Sequence, residues 1–196
     1  MAAPAKQAPK VKKLEDPRTL RALAHPLRLR LLGLLRADGP ATVSNLAASV
    51  EQAVPLVSYH LRQLAEHGFI EEAPELAKDR RETWWRSSHE FTSWSMTDFL
   101  DSPERLDALG MFQHQILQAH VGRIQTFFDE AQTWDKGWLD ATEMSDLRLS
   151  VTPAELKQLI AEIWEVIDRW RNRDPGPDAG IAELILYAIP REPGPR

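Results

Sequence analysis

Apolar residues recur every three or four positions along the first part of the chain, a spacing that predicts short amphipathic helices. Asp16-Pro17 is typical of a helix start, because an N-cap carboxylate is followed by proline at the first helical position. His25-Pro26 interrupts that helix and opens a second one, which ends near Gly39. A third helix capped by Thr42 and a fourth from about Val54 to His67 follow.

After the fourth helix the pattern changes to short β-prone runs, which predicts strands. Phe69–Glu72 and Glu82–Arg86 are the two predicted strands, and the charged segment Lys78–Arg81 lies at the tip between them. The order of helix, helix, short helix, helix and hairpin is that of a winged helix-turn-helix. The sequence therefore predicts this fold for the first hundred residues.

The second half has a different pattern. Ser102-Pro103 starts a helix of about 30 residues that runs to roughly Trp134. Residues 147–151 alternate between apolar and polar, a capping box at Thr152 opens a helix to about residue 173, and residues 181–189 are mostly apolar. We expect an α+β, mainly helical fold, in which the winged helix-turn-helix domain is followed by a long dimerisation helix and a small strand–helix–strand module.

Composition and charge exclude several classes of protein. The chain is 43% hydrophobic and has no cysteine, which removes disulfides, thiolate zinc sites and iron–sulfur clusters. No apolar run approaches the ~18 residues of a membrane span, and the N-terminus lacks the apolar segment of a secretory signal, so we expect a cytoplasmic protein. The net charge is −5, yet residues 1–100 carry 14 Lys and Arg against 12 Asp and Glu. A polyanion is therefore expected to dock on this half, and the acidic second half to repel it.

The fourth predicted helix separates an apolar face from a polar one. Val57, Leu61 and Leu64 share the apolar face, and the opposite face has no acidic residue before the last turn. On that face Arg62 can pair with guanine, and Gln63 flanks it with an amide that can pair with adenine. Any solvated helix also has a polar face, but together with the basic hairpin tip this one favours insertion into the major groove of double-stranded DNA.

Three segments of the chain resemble those of a known family. Residues 23–32 (LAHPLRLRLL) resemble the helix-opening signature of ArsR/SmtB-type winged-helix regulators, residues 57–64 (VSYHLRQL) their recognition helix, and residues 80–85 (RRETWW) their wing. The resemblance covers about residues 16–88. The thiolate metal site of the family lies in the third helix, where residues 45–50 contain no cysteine, so the resemblance implies a regulator without that site.

The candidate DNA contacts combine the helix face with this resemblance. The outward face of the fourth helix, the cap of the third helix and the hairpin tip are expected to meet base edges or phosphates. The resemblance implies Ser58, His60 and Arg62 as contacts. The full set is Thr42, Pro55, Ser58, Tyr59, His60, Arg62, Gln63, Lys78, Arg80 and Arg81.

The long helix is the predicted dimer element. One recognition helix contacts only a few base pairs, so such domains usually act as dimers that read half-sites about one helical turn apart. The stripe expected to form the interface comprises Leu106, Leu109, Phe112 and Ile116. The alternative is that this stripe packs wholly within its own chain.

Aromatic residues beyond residue 90 suggest a pocket for a small apolar effector, with a plain hydrophobic core as the alternative. The candidate pocket residues are Trp94, Phe112, Phe127, Trp134 and Trp164. His114 and His120 are six residues apart and cannot bind one ion from one helix, so we expect no metal and no cofactor. The alternative is a metal ion to which each of two chains supplies one histidine. No nucleophile-elbow, phosphate-loop, dinucleotide-binding or zinc-protease motif occurs, so we expect no enzyme.

These observations predict a sequence-specific DNA-binding transcriptional regulator, a repressor in preference to an activator, that binds a palindromic operator as a homodimer and is released by an apolar effector. We expect a disordered basic tail (1–13), a winged-helix DNA-binding domain (14–100), a dimerisation and effector module (101–190) and a disordered tail (191–196). The alternative is a winged-helix protein–protein interaction module whose acidic C-terminal half docks a basic partner.

Overall fold

The computed structural model describes residues 10–79 and 82–191. Contacts between Cα atoms divide the described chain after residue 130 into two units. The helices of the first unit are α1 (Pro17–Leu23), α2 (Pro26–Ala37), α3 (Val43–Val50), α4 (Val54–Glu66) and α5 (Pro103–Asp129).

The predicted helix starts are confirmed by hydrogen bonds at the caps. The Asp16 carboxylate accepts from the backbone N–H of Arg18 at 3.0 Å, and the Thr42 hydroxyl accepts from the N–H of Asn45 at 3.2 Å. His25 caps α2, because its Nδ1 accepts from the N–H of Leu27 at 3.2 Å. Each cap satisfies one of the donors that a helix leaves unpaired in its first turn.

Two small sheets complete the first unit. Strands β2 (Ala41–Thr42), β3 (Ile70–Glu72) and β4 (Trp84–Ser87) form an antiparallel sheet in the order β2-β4-β3. Strand β1 (Val11–Leu14) pairs in parallel with β5 (Phe91–Trp94). The hairpin β3–β4 is the predicted wing.

Strand β1 corrects part of the predicted N-terminal tail. Residues 1–9 of that tail lie outside the described residues, but residues 11–13, predicted to be disordered, pair with β5. Leu14 is fully buried and anchors the strand, and the Lys12 ammonium lies 5.2 Å from the centre of the Phe69 ring. The sequence did not predict this strand, because its stability comes from pairing with a strand about 80 residues away along the chain.

Helix α5 ends at Asp129, earlier than the predicted Trp134, and packs against α1 and α2. Ala108, Leu109 and Phe112 are buried in the core of the first unit. The Arg21 guanidinium and the Glu104 carboxylate are 3.0 Å apart where α1 meets the start of α5. One face of this long helix is therefore part of the domain that carries α4.

The second unit contains α6 (Lys136–Ala141) and α7 (Pro153–Arg171). Thr152 and Glu155 form the predicted capping box. The two predicted strands are wrong, because residues 147–151 and 181–189 adopt no strand. Isolated strands leave their backbone groups unpaired, and both segments are open to solvent, with Leu147 73% and Ile181 82% exposed. Of the predicted C-terminal tail, residues 192–196 lie outside the described residues.

Among the described residues, none of the helices is both long enough and apolar enough to cross a bilayer. The fold class, mainly helical with small sheets and a winged helix-turn-helix, is confirmed apart from the strand–helix–strand module.

Candidate nucleic-acid interface

Helix α4 has one face in the core and one in solvent. Val57, Leu61 and Leu64 are fully buried. On the opposite side Tyr59 is 54% exposed, and the Arg62 side chain is exposed as well. The apolar face fixes the helix on the domain, so the polar face stands outward as predicted.

The polar side chains of α4 pair with each other along the helix. The Arg62 guanidinium donates to the Ser58 hydroxyl at 3.1 Å, and the Gln63 amide donates to the Glu66 carboxylate at 2.8 Å. These partners are three or four residues apart, which places them on neighbouring turns. Both bonds are at the surface, where a base or a phosphate can replace the internal acceptor at small cost.

A cleft of about 490 Å³ lies beside the N-terminal half of α4. Thr42, at the cap of α3, and Ser58, on α4, both line it, so the structure brings these two predicted contacts together. Glu82 lines the same cleft and accepts from the Trp84 indole N–H at 3.2 Å. This carboxylate is a local negative charge that any phosphate in the cleft has to avoid.

The tip of the wing, residues 78–81, supplies one described basic side chain. Lys78 is exposed, and its backbone N–H donates to the Glu82 carboxylate at 3.3 Å, which holds the segment before β4. The other two predicted wing contacts, Arg80 and Arg81, lie outside the described residues. Pro55, the remaining predicted contact, is exposed in the first turn of α4.

His60 is a correction to the predicted interface. Its side chain is only 5% exposed and lies on the inner side of α4, where its ring centre is 4.4 Å from that of His25. Burial, and then the neighbouring His25 and Arg28, lower the pKa of His60 below its usual 6.5. A buried imidazole cannot reach a base edge, so the contact implied by the family resemblance is not available to it.

The predicted dimer stripe also needs correction. Leu109 and Phe112 are buried in their own chain, and Ile116 packs against the same core. Only Leu106 faces outward, with 49% of its side chain exposed. These residues fit the alternative, packing within one chain, because the helix turns this stripe toward α1 and α2.

A second apolar stripe runs along the exposed side of α5. Its side chains are between 37% and 49% exposed, and they recur at intervals of three or four residues beyond Leu106. Spacing along the sequence does not separate this stripe from the buried one, because Leu117 and Ile124 are seven residues apart and so are Leu109 and Ile116. The stripe comprises Leu106, Leu117, Val121, Ile124 and Phe128.

The candidate effector residues are distributed over both units. Trp94 lies edge to face on the buried Phe112, with ring centres 4.9 Å apart, so these two rings belong to the core of the first unit. Phe127 lies 5.9 Å from Phe128 near the end of α5. Trp134 and Trp164 belong to the second unit and are 40% and 45% exposed. The pocket itself stays a prediction.

Within residues 10–79 and 82–191, no three His, Asp or Glu side chains are placed to hold a metal ion. The predicted ligand candidates His114 and His120 both lie on α5.

Residues 23–73 match the family model described as "Helix-turn-helix domain". The chain contains a helix-turn-helix domain. The match begins at the end of α1 and ends just after β3, so it includes α2, α3 and the whole of α4. With the hairpin β3–β4 beside it, the winged helix-turn-helix predicted from the sequence is confirmed. None of the curated proteins matches the chain.

Solved structures similar to this helix-turn-helix chain include two of a fragment, residues 1–100, from Mycobacterium bovis. A crystal structure described as a possible transcriptional regulatory protein is 22% identical, covers 53% of this chain and 88% of its own, and has a TM-score of 0.34. A solution NMR structure is described as a homodimeric winged helix-turn-helix DNA-binding domain of a possible ArsR-family regulator. It is 20% identical, covers 67% of this chain and 85% of its own, and has a TM-score of 0.34.

Reduced HlyU from Vibrio cholerae is 21% identical, covers 50% of this chain and 83% of its own, and has a TM-score of 0.31.

Proposed function

We propose that the protein is a DNA-binding transcriptional regulator of ArsR-like type that reads double-stranded DNA with α4. The outward face of α4 carries this proposal: Tyr59 is 54% exposed and Arg62 stands beside it, while the back of the helix is fixed in the core. The helix-turn-helix match supports it, because in such domains the second helix of the motif enters the major groove. Arginine there can donate two hydrogen bonds to guanine.

We propose further that the regulator binds a palindromic operator as a homodimer joined through the exposed stripe of α5. This helix has 27 residues, or about 40 Å, and its stripe extends over most of that length. A symmetric pair of such helices buries the stripe and presents two copies of α4. Half-sites of helix-turn-helix dimers are about 34 Å apart, which a dimer of this size can span.

Repression by occupying the operator is the mode of action that we propose. It requires no contact other than DNA binding and dimerisation. We also propose, from the sequence, that an apolar effector releases the protein from DNA. The proposed location is the cytoplasm. No cofactor enters it.

Selection of bound sequences from random duplexes with the purified protein tests the proposal. We expect enrichment of an inverted repeat, and loss of the enrichment for a variant in which Tyr59 and Arg62 are both alanine. A variant with Arg169→Ala on α7 is the matched control, because it removes an exposed arginine far along the chain from α4. Enrichment of no sequence, with retention of the chain on a basic protein instead, contradicts the proposal and favours a protein-interaction module.

A further inference from the structure

Two histidines in contact link the N-terminal end of α2 to the inner face of α4. The ring centres of His25 and His60 are 4.4 Å apart, and the planes are inclined at 41°. The Tyr59 ring lies edge-on to His60 at 5.1 Å. Because Tyr59 points to solvent on the other side, the pair lies directly beneath the surface that we propose to read DNA.

The hydrogen bond of His25 requires a neutral ring at that position. Its Nδ1 accepts from the N–H of Leu27, so this nitrogen carries no proton, and protonation there removes the cap of α2. Burial and the Arg28 guanidinium lower the pKa of His25 below 6.5.

Protonation of His60 is also unfavourable in the folded chain. The side chain is 5% exposed, and in the described part of the chain its buried Nδ1 has no hydrogen-bond partner. A proton on this nitrogen would therefore place a charged N–H where nothing accepts it. Such a group is far more easily accommodated once the ring reaches water.

The charge nearest to the pair is positive and is held in place. The Arg28 guanidinium donates to the backbone carbonyl oxygens of Ala22 and Arg21, at the end of α1, and it lowers the pKa of both histidines. Burial lowers the pKa of Arg28, and the Tyr59 phenol, the other titratable group that acts on this cluster, partly opposes that shift. A proton on either imidazole therefore adds a cation beside an existing one.

We propose that the His25–His60 pair is a proton-sensitive joint, which holds α4 in place while both rings are neutral and loosens it when either is protonated. This rests on the proposed function in one respect only, that the loosened helix is the DNA-reading one. The seated form binds fewer protons than the loosened form, so the joint is fully stable above pH 6.5 and weakens as the pH falls below it. Each histidine can shift the balance by at most about tenfold per pH unit.

Two conservative substitutions remove the titration and keep the structural role. His25→Asn retains an N-cap acceptor for α2, and His60→Phe retains a ring against residue 25. The controls are His67→Gln, at the end of the same helix, and His89→Asn, because burial and nearby Lys12 also lower the pKa of His89.

The experiment measures the free energy of unfolding in urea and the affinity for a selected duplex, both at pH 5.5 and pH 7.5 and at fixed ionic strength. For the natural chain we expect both to fall at pH 5.5, with the affinity falling by up to about tenfold per histidine. The double variant should lose much less of both, and His67→Gln should behave as the natural chain does. His89→Asn should reduce only the pH dependence of the free energy of unfolding and leave that of the duplex affinity unchanged. Unchanged pH dependence in the double variant overturns the joint.

The two proposals fail separately. If no duplex binds at either pH, the proposed function fails, and the urea measurement still decides the joint. If the double variant does not fold, NMR titration of the imidazole protons in the natural chain decides it. The joint is supported if His25 and His60 both titrate below pH 6.5 and if the amides of α4 are less protected from hydrogen exchange at low pH. Titration of both at or above 6.5 overturns it.

Discussion

At the scale of single residues, the proposed DNA interface depends on side chains that are held by weak surface hydrogen bonds. The Arg62 guanidinium is held over Ser58 by one surface hydrogen bond of 3.1 Å, which orients it outward without burying it. Such a side chain loses little when it exchanges the hydroxyl for a base edge, and the domain loses little when it is removed.

Arg62→Ala should therefore weaken binding to the selected duplex by about 1–3 kcal/mol, because a bidentate contact to a base is lost. Fluorescence anisotropy with the selected and a scrambled duplex measures this, with Arg169→Ala as the control. An equal loss on both duplexes would assign Arg62 to a phosphate instead of a base.

Arg36 has a structural role instead, and its side chain is partly buried. Its guanidinium donates to the His89 carbonyl oxygen at 3.1 Å and to the Thr92 hydroxyl at 2.8 Å, which ties α2 to the segment carrying β5. Burial lowers the pKa of Arg36 to about 10, so it remains charged at neutral pH.

Arg36→Met should lower the free energy of unfolding by about 2–3 kcal/mol, since two part-buried hydrogen bonds from a charged donor are lost. The matched change is Arg30→Met, where an exposed arginine on the same helix donates to the Ser49 carbonyl oxygen, and it should lower the free energy by less than about 1 kcal/mol. If urea denaturation gives equal losses of unfolding free energy for the two variants, Arg36 does not anchor α2 more strongly than Arg30 does.

At the scale of elements, α5 carries two apolar stripes with different purposes. Leu109 and Phe112 lie in the core with α1 and α2, whereas Leu117 and Ile124 are about half exposed on the other side. A helix apolar on two sides usually has a partner on each, and the described chain supplies a core for only one of them.

Ile124→Glu should convert the proposed dimer to monomer and leave the folding of the winged domain intact. Sedimentation velocity measures the first effect, and amide hydrogen exchange in α4 the second. Leu109→Ala should instead destabilise the domain by about 2–5 kcal/mol. Gln118→Glu, a neighbouring exposed position, is the control for added charge. A dimer that survives Ile124→Glu would place its interface elsewhere.

Local signals along the chain predicted the helices well, because caps and prolines act within one turn. Pro17, Pro26 and Thr42 stand at the observed starts of α1, α2 and α3. The sequence did not predict β1, since the pairing of Val11 with Phe91 joins distant residues. Nor did it separate the two stripes of α5, because only the packing of α1 decides which of them is buried.

At the scale of the whole molecule, charge is distributed so that DNA is expected to approach one part of the chain. The first 100 residues carry 14 basic and 12 acidic side chains, although the chain as a whole has a net charge of −5. The affinity must therefore come from a few local contacts and depend on salt, and Lys78 on the wing is the described candidate for one of them.

Lys78→Ala should reduce the slope of log affinity against log salt concentration by about one, because one phosphate contact and its released counterion are lost. The loss should be the same for the selected and the scrambled duplex. Lys157→Ala on α7 is the matched control. An unchanged slope would remove Lys78 from the interface.

Backbone amide chemical shifts recorded while the selected duplex is added to the full chain test the central claim most directly. We predict the largest changes in α4 between residues 55 and 63, smaller ones near Thr42 and residue 78, and little change in α7. Changes centred on the second unit, with α4 unaffected at saturating duplex, would contradict the account.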